Sequence, residues 1–211
     1  LYEVIKTADP TARITSPSIL NWSFDCNGCP GYQLGSSWVA DFRAAYMTQY
    51  GMEPPVDIWA IDVYPLDWTN RPTVDHQLAI DQVSGLRQYL DETGLQDKPI
   101  WITELGLHWG WDDWKWFVVG CEVDGTHLPS PWGTYQTEQV IGYLDAIFDW
   151  LEANATSKNI EKWFLLSTYE NINTCNPSAY AGMTLFDAPD VGAELTEVGK
   201  FFKDRVLGIS Q

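Results

Sequence analysis

Glu104 closes the run Lys98-Pro99-Ile100-Trp101-Ile102-Thr103-Glu104, a short apolar stretch of the kind that forms a buried parallel strand. A carboxylate at the C-terminal end of such a strand is costly to bury unless it is paired or used. Glu104 is therefore a candidate for chemistry, with a strand-end salt bridge as the plainer alternative. Past it, Trp109, Trp111, Trp114 and Trp116 alternate with Gly110, Asp112, Asp113 and Lys115. Flat indole faces beside carboxylates suit a polyhydroxylated ligand; the alternative is a loop packed on its own aromatics. His108 and His127 share this loop but lack the spacing of metal ligands, so no metal and no cofactor are expected.

The elements that must position these residues alternate between helix and short apolar strand. Residues 1–8 read as a helix end stopped by Asp9-Pro10, and 12–20 as a strand. Ser36 or Ser37 is expected to cap a helix over 37–50, with Trp38, Phe42, Ala45 and Tyr46 on one stripe. A strand follows over 57–64. A helix then runs from Asp75 to about residue 93, ended by Gly94. The strand of 98–104 leads into a long loop over 106–132 and a helix from Thr134 through Ala153. A fourth strand over 162–168 and a last helix from Thr196 to Val206 complete the series. Continuously apolar strands separated by helices imply a parallel sheet covered on both faces. The long loops all follow strands, as on the active face of a (β/α)8 barrel, and four units make half of one. No Gly-x-Gly-x-x-Gly is present, which argues against a dinucleotide fold, and no second domain is apparent.

Charge and cysteines bound the partners. With 29 acidic and 12 basic residues the net charge is −17, so a nucleic-acid partner is disfavoured, while a neutral sugar is compatible. No apolar run is long enough to span a membrane. Cys26, Cys29, Cys121 and Cys175 are even in number, which leans towards disulfides and an oxidising compartment; zinc or free thiols are the alternatives. Asn21-Trp22-Ser23 and Asn154-Ala155-Thr156 are glycosylation sequons. Both features point to a secreted or cell-surface protein. Leu1 begins no signal peptide, so the chain is expected to start partway through a longer product, either by processing or because upstream residues are not included.

The run Lys98 to Gly106 resembles the seventh-strand nucleophile motif of clan A glycoside hydrolases, which are retaining (β/α)8 enzymes. Other segments match in order. Ala8 to Ile14 resembles the lead from the fourth helix into the fifth strand. Val56 to Tyr64 resembles the sixth strand, Gly133 to Gln139 the start of the seventh helix, and Leu195 to Phe201 the Leu-Thr-x-x-Gly of the eighth. The resemblance implies a single domain, residues 1–211 being the C-terminal portion of a TIM barrel and covering strands 5–8 and helices 4–8. It implies that Glu104 is the nucleophile and that Tyr64 donates a hydrogen bond to it. The acid/base would lie upstream of Leu1, on the fourth strand, about 5–5.5 Å from the nucleophile in a retaining enzyme. The family's sixth-strand His is Asp62 here, and Ser167, Thr168 or Tyr169 stands where a floor Trp commonly ends the eighth strand. Asp62 could then serve as a second carboxylate, or be a buried Asp bonded to backbone or Arg.

These residues together imply a carbohydrate-active barrel. It would hydrolyse O-glycosides through Glu104 and Tyr64 and bind oligo- or polysaccharide through Trp109, Trp111, Asp62 and Tyr169. A missing N-terminal half, or a second chain, would complete it. Cys121 with Cys175 would tie adjacent loops on the active face, and Cys26 with Cys29 would close a tight turn. The alternative is a non-catalytic sugar-binding or structural extracellular barrel.

Overall fold

The computed structural model describes residues 1–24, 31–65, 73–107, 137–170 and 181–208. Its elements run α1 (Tyr2–Ala8), β1 (Ile19–Leu20), α2 (Gly35–Tyr50), β2 (Trp59–Val63), α3 (His76–Glu92), β3 (Ile100–Leu105), α4 (Thr137–Asn154), β4 (Ile160–Leu165), a 3-10 turn (Ala181–Met183) and α5 (Glu197–Leu207). The strands lie in the order β1-β2-β3-β4, forming one four-stranded parallel sheet with a helix between each consecutive pair. This is the α/β architecture that alternating helices and apolar strands produce. No helix among the described residues is long and apolar enough to cross a membrane. The chain divides into two compact units, one made of Leu1–Val63, Ala79–Glu104 and Leu151–Phe164, the other of the remaining segments.

The first unit holds the sheet. Ile19 of β1 stands opposite Ile61 of β2, and Leu20 opposite Asp62, so the pleat puts the isoleucines on one face and Leu20 with Asp62 on the other. Ile19, Trp59, Ile61, Ile100 and Ile102 are fully buried. Helix α2 presses on this apolar layer: a Cβ at Gly35 would sit 2.7 Å from Ile19 Cγ2 and 2.7 Å from the Leu20 carbonyl oxygen, so only glycine allows the approach.

Three expectations change here. Strand 12–20 shrinks to Ile19–Leu20 with an isolated bridge at Thr15, because Pro17 has no N–H to give and the Ser16 hydroxyl takes the Ala60 N–H at 2.9 Å. Neither Ser36 nor Ser37 caps α2. The helix starts at Gly35, and the N–H groups of Gly35 and Ser36 are met by the carbonyls of Asn21 and Trp22 at 3.1 Å each. The buried side of α2 is Gly35, Val39 and Arg43, with Trp38, Phe42 and Tyr46 half-buried beside it and Ala45 exposed. Arg43 is tolerated inside because Glu53 receives two of its N–H groups, at 2.6 and 2.9 Å, and the Tyr89 hydroxyl a third at 3.0 Å.

Helix α3 ends as its sequence demands. Gly94 adopts φ +78°, and the Leu95 N–H reaches back to the Leu90 carbonyl at 2.8 Å. Strand β4 spans Ile160–Leu165 rather than 162–168.

The second unit contains the start of α3, where the Asp75 carboxylate accepts the Gln77 N–H at 2.9 Å as an N-cap. It also holds most of α4, and α5. Phe148 stacks on Phe201 with centroids 6.3 Å apart, and Arg205 bonds Asp145 at 2.9 Å and also pairs with Asp149. The motif Leu195-Thr-x-x-Gly199 has a local reason. Thr196 caps α5 by accepting the Gly199 N–H at 2.9 Å and donates its hydroxyl to the Thr184 carbonyl at 2.6 Å. The expected helix start at Thr134 lies outside the described residues.

Candidate functional site

Glu104 is the fifth of six residues in β3, half-buried where Ile100 and Ile102 are fully buried. The strand thus delivers a carboxylate to its C-terminal end, as its apolar run implies. The residue before it, Thr103, is held from the neighbouring strand. Its hydroxyl lies 2.7 Å from Asp62 Oδ1 and 3.3 Å from the Ile61 carbonyl oxygen. Ser18, on the approach to β1, donates to the same Asp62 oxygen at 2.7 Å and lies 2.7 Å from the Thr103 hydroxyl. Asp62 is therefore half-buried and bonded to side-chain hydroxyls, a third arrangement beside the backbone and Arg partners expected.

In the second unit, Tyr64 follows the end of β2 and is 1% exposed. A Cβ on Gly106 would come within 3.2 Å of its ring and 3.1 Å of the Leu166 carbonyl, so this glycine lets β3 exit close to the tyrosine. After β4 the Leu166–Ser167 peptide is cis. The Ser167 hydroxyl engages the Tyr169 carbonyl at 3.1 Å and Glu170 Oε1 at 3.0 Å. The Glu170 N–H in turn bonds the Thr184 hydroxyl at 3.1 Å. Tyr169 is half-buried on this knot.

A charged cluster stands at the other end of the strands. Arg13 holds Glu161 with N–H to oxygen distances of 2.6 and 3.2 Å, and its guanidinium lies over the Trp101 ring. The Trp101 N–H donates to Glu161 at 3.0 Å. The Arg13 bond, with the indole N–H, holds the Glu161 carboxyl below its ordinary range. In Asp57, burial pushes upward, but the Lys6 ammonium at 2.9 Å and the Ile14 N–H outweigh it and the carboxyl is lowered.

Both sequon asparagines lie among the described residues. Asn21 is 1% exposed, and its amide donates to the Phe24 carbonyl at 2.6 Å and to the Tyr32 hydroxyl. Asn154, at the end of α4, is half-buried. Trp109 and Trp111, Cys26, Cys29, Cys121 and Cys175, and His108 and His127 lie outside the described residues. Among the described residues no group of three or more His, Cys, Asp or Glu could hold a metal ion.

Sequence reasoning assigned nothing to Ser18 or to the hydroxyl of Thr103. Thr103 sits inside the nucleophile-like motif, but Ser18 is 85 positions away from it, and no local pattern joins the two.

The described glycosyl hydrolase catalytic core is the family whose model matches residues 2–202. No curated protein matches the chain. Among solved structures, a beta-glucosidase from Exiguobacterium marinum aligns with a TM-score of 0.52 at 13% identity, over 100% of this chain and 55% of that one. The beta-glycosidase BGL167 aligns with a TM-score of 0.52 at 13% identity, over 100% of this chain and 46% of that one. The chain thus spans about half the length of these structures, and at such identity the likeness is one of fold.

Proposed function

Because the chain belongs to the glycosyl hydrolase catalytic core family and has a clan A glycoside hydrolase-like fold, we propose that it is part of a retaining glycosidase barrel with Glu104 as nucleophile. In this reading residues 1–211 are one portion of a single domain and supply strands 5–8 and helices 4–8. The Glu104 carboxylate bonds to the anomeric carbon as the bond to the leaving oxygen breaks. A carboxylic acid from upstream of Leu1 gives that oxygen its proton. The same group then takes a proton from water, which displaces Glu104 and releases the sugar. Tyr64 orients the nucleophile, and Trp109, Trp111 and Tyr169 offer platforms to an oligo- or polysaccharide. The protein acts outside the cell or at its surface, in keeping with its even cysteine count.

The observation that carries the reading is a half-buried carboxylate at the end of β3, inside the segment the family model matches. The sheet's outer strands add support. Leu20 of β1 is 50% exposed and Phe164 of β4 is 46% exposed, as strands would be that await further strands to close a barrel.

The test uses the full-length protein with a panel of aryl glycosides. Glu104→Gln is expected to lower turnover at least about a thousandfold. A 2-fluoro glycoside is expected to label the peptide containing Glu104. Unchanged turnover in the variant would remove Glu104 from the mechanism. A second reading, a non-catalytic sugar-binding barrel, is favoured by Asp62 standing in place of the family's histidine. Oligosaccharide binding by calorimetry with no turnover of any glycoside would select it.

A further inference from the structure

We propose that Ser18, Asp62 and Thr103 form a positioning network that fixes Glu104 for attack, an inference that rests on the reading of Glu104 as nucleophile. β2 and β3 contribute one group each, and the segment leading into β1 the third. Asp62 Oδ1 receives the hydroxyls of Ser18 and Thr103, both at 2.7 Å, and those hydroxyls lie 2.7 Å from one another. Thr103 is joined to Glu104 by a single peptide, and its hydroxyl also approaches the Ile61 carbonyl at 3.3 Å. The backbone carrying the carboxylate is therefore clamped to β2 from the side chain as well as through the sheet.

The network adds little apolar burial. Ser18 is exposed, and Asp62 and Thr103 are half-buried beside a fully buried isoleucine layer. A set of polar bonds that contributes little to the core, yet converges on the residue next to the reacting group, is suited to geometry. Nucleophilic attack tolerates little displacement: an error of about 1 Å lowers rates on the order of a hundredfold. Asp62 and Ser18 are thus positioning residues acting through Thr103, and neither needs to touch the sugar.

The experiment compares Thr103→Val, Thr103→Ser and Ser18→Ala with Glu104→Gln in the full-length protein. Thr103→Val keeps the shape and removes the hydroxyl. It is expected to lower kcat about tenfold to a hundredfold with KM changed less than about twofold. Thr103→Ser restores the hydroxyl and is expected to recover most of that loss, which a packing role for the lost methyl would not allow. Should Thr103→Val fail to fold, Ser18→Ala at its exposed position reads the same network, with kcat expected to fall about threefold to tenfold. If Glu104→Gln abolishes turnover while Thr103→Val, or in its place Ser18→Ala, keeps kcat within about twofold of the parent, the positioning network is refuted and the nucleophile stands. If Glu104→Gln keeps its activity, the nucleophile reading itself fails, and the network falls with it.

Discussion

Replacing Gly199 by alanine should destabilise the protein although it lies within a helix, where alanine is ordinarily favoured. A Cβ at this position would lie 2.0 Å from the Leu185 carbonyl oxygen, 2.9 Å from its carbon and 3.0 Å from Leu195 Cδ2. Ordinary carbon–oxygen contact needs about 3.3 Å, so one partner must retreat by more than about 1 Å. The oxygen is not at liberty to do so, since it accepts the Thr196 N–H at 3.0 Å, at the cap of the same helix. Overpacking of this kind costs about 1–3 kcal/mol, and the strained hydrogen bond about 1 kcal/mol more. Alanine's helix preference returns about 0.8–1 kcal/mol. The net loss is then about 1–3 kcal/mol, or a fall in Tm of roughly 3–10 °C for a domain of this size. Gly142, in the exposed face of α4, is the matched control, because a Cβ there meets nothing within 4 Å. Gly142→Ala should raise stability by about 0.5–1 kcal/mol. Thermal unfolding of the two variants side by side gives the answer. If Gly199→Ala melts as high as Gly142→Ala, the close approach of α5 to Leu185 is wrong.

Acid should weaken the Arg13–Glu161–Trp101 cluster. The Glu161 carboxyl is lowered in the folded chain from its ordinary 4.5, so the stability it contributes is complete above that pH and is lost as pH falls through the lowered value. With both side chains more than a third exposed, the contribution is about 0.2–1 kcal/mol. Unfolding free energies between about pH 3 and 6 should fall less steeply in Glu161→Gln than in the parent, and identical slopes would contradict the assignment. Arg43→Ala should cost about 1–3 kcal/mol, less than for a fully buried pair because Glu53 stays 40% exposed. Arg43→Lys, keeping charge without the fork, should recover only part of that, and urea unfolding of the two variants measures it.

The parts of the fold that could be read in the sequence are those where local chemistry decides alone. Asp75 and Gly94 bracket α3, and Thr196 opens α5, because a cap and a left-handed glycine act within a few residues of themselves. The start of α2 was hidden because distant carbonyls, those of Asn21 and Trp22, do the work Ser36 or Ser37 would have done. The strand before it was overread because Ser16 and Pro17 look tolerable in an apolar run yet interrupt the ladder. The candidate site divides in the same way. Glu104 is visible from its own strand. The Ser18–Asp62–Thr103 network exists only once β2, β3 and the segment leading into β1 lie side by side, and the burial of Asn21 only once Tyr32 folds back onto it.

Helix α1 has no buried residue, and Val4 is 69% exposed. Lys6 ties it to the rest of the first unit, reaching the Ala12 carbonyl at 2.7 Å and Asp57 at 2.9 Å. With no side chain fully buried, the segment is expected to open and exchange its amides before the buried strands of the first unit do. Acetylation of Lys6 would remove the charge that Asp57 pairs with, and faster exchange of the amides of residues 2–8 would report the weakened tie.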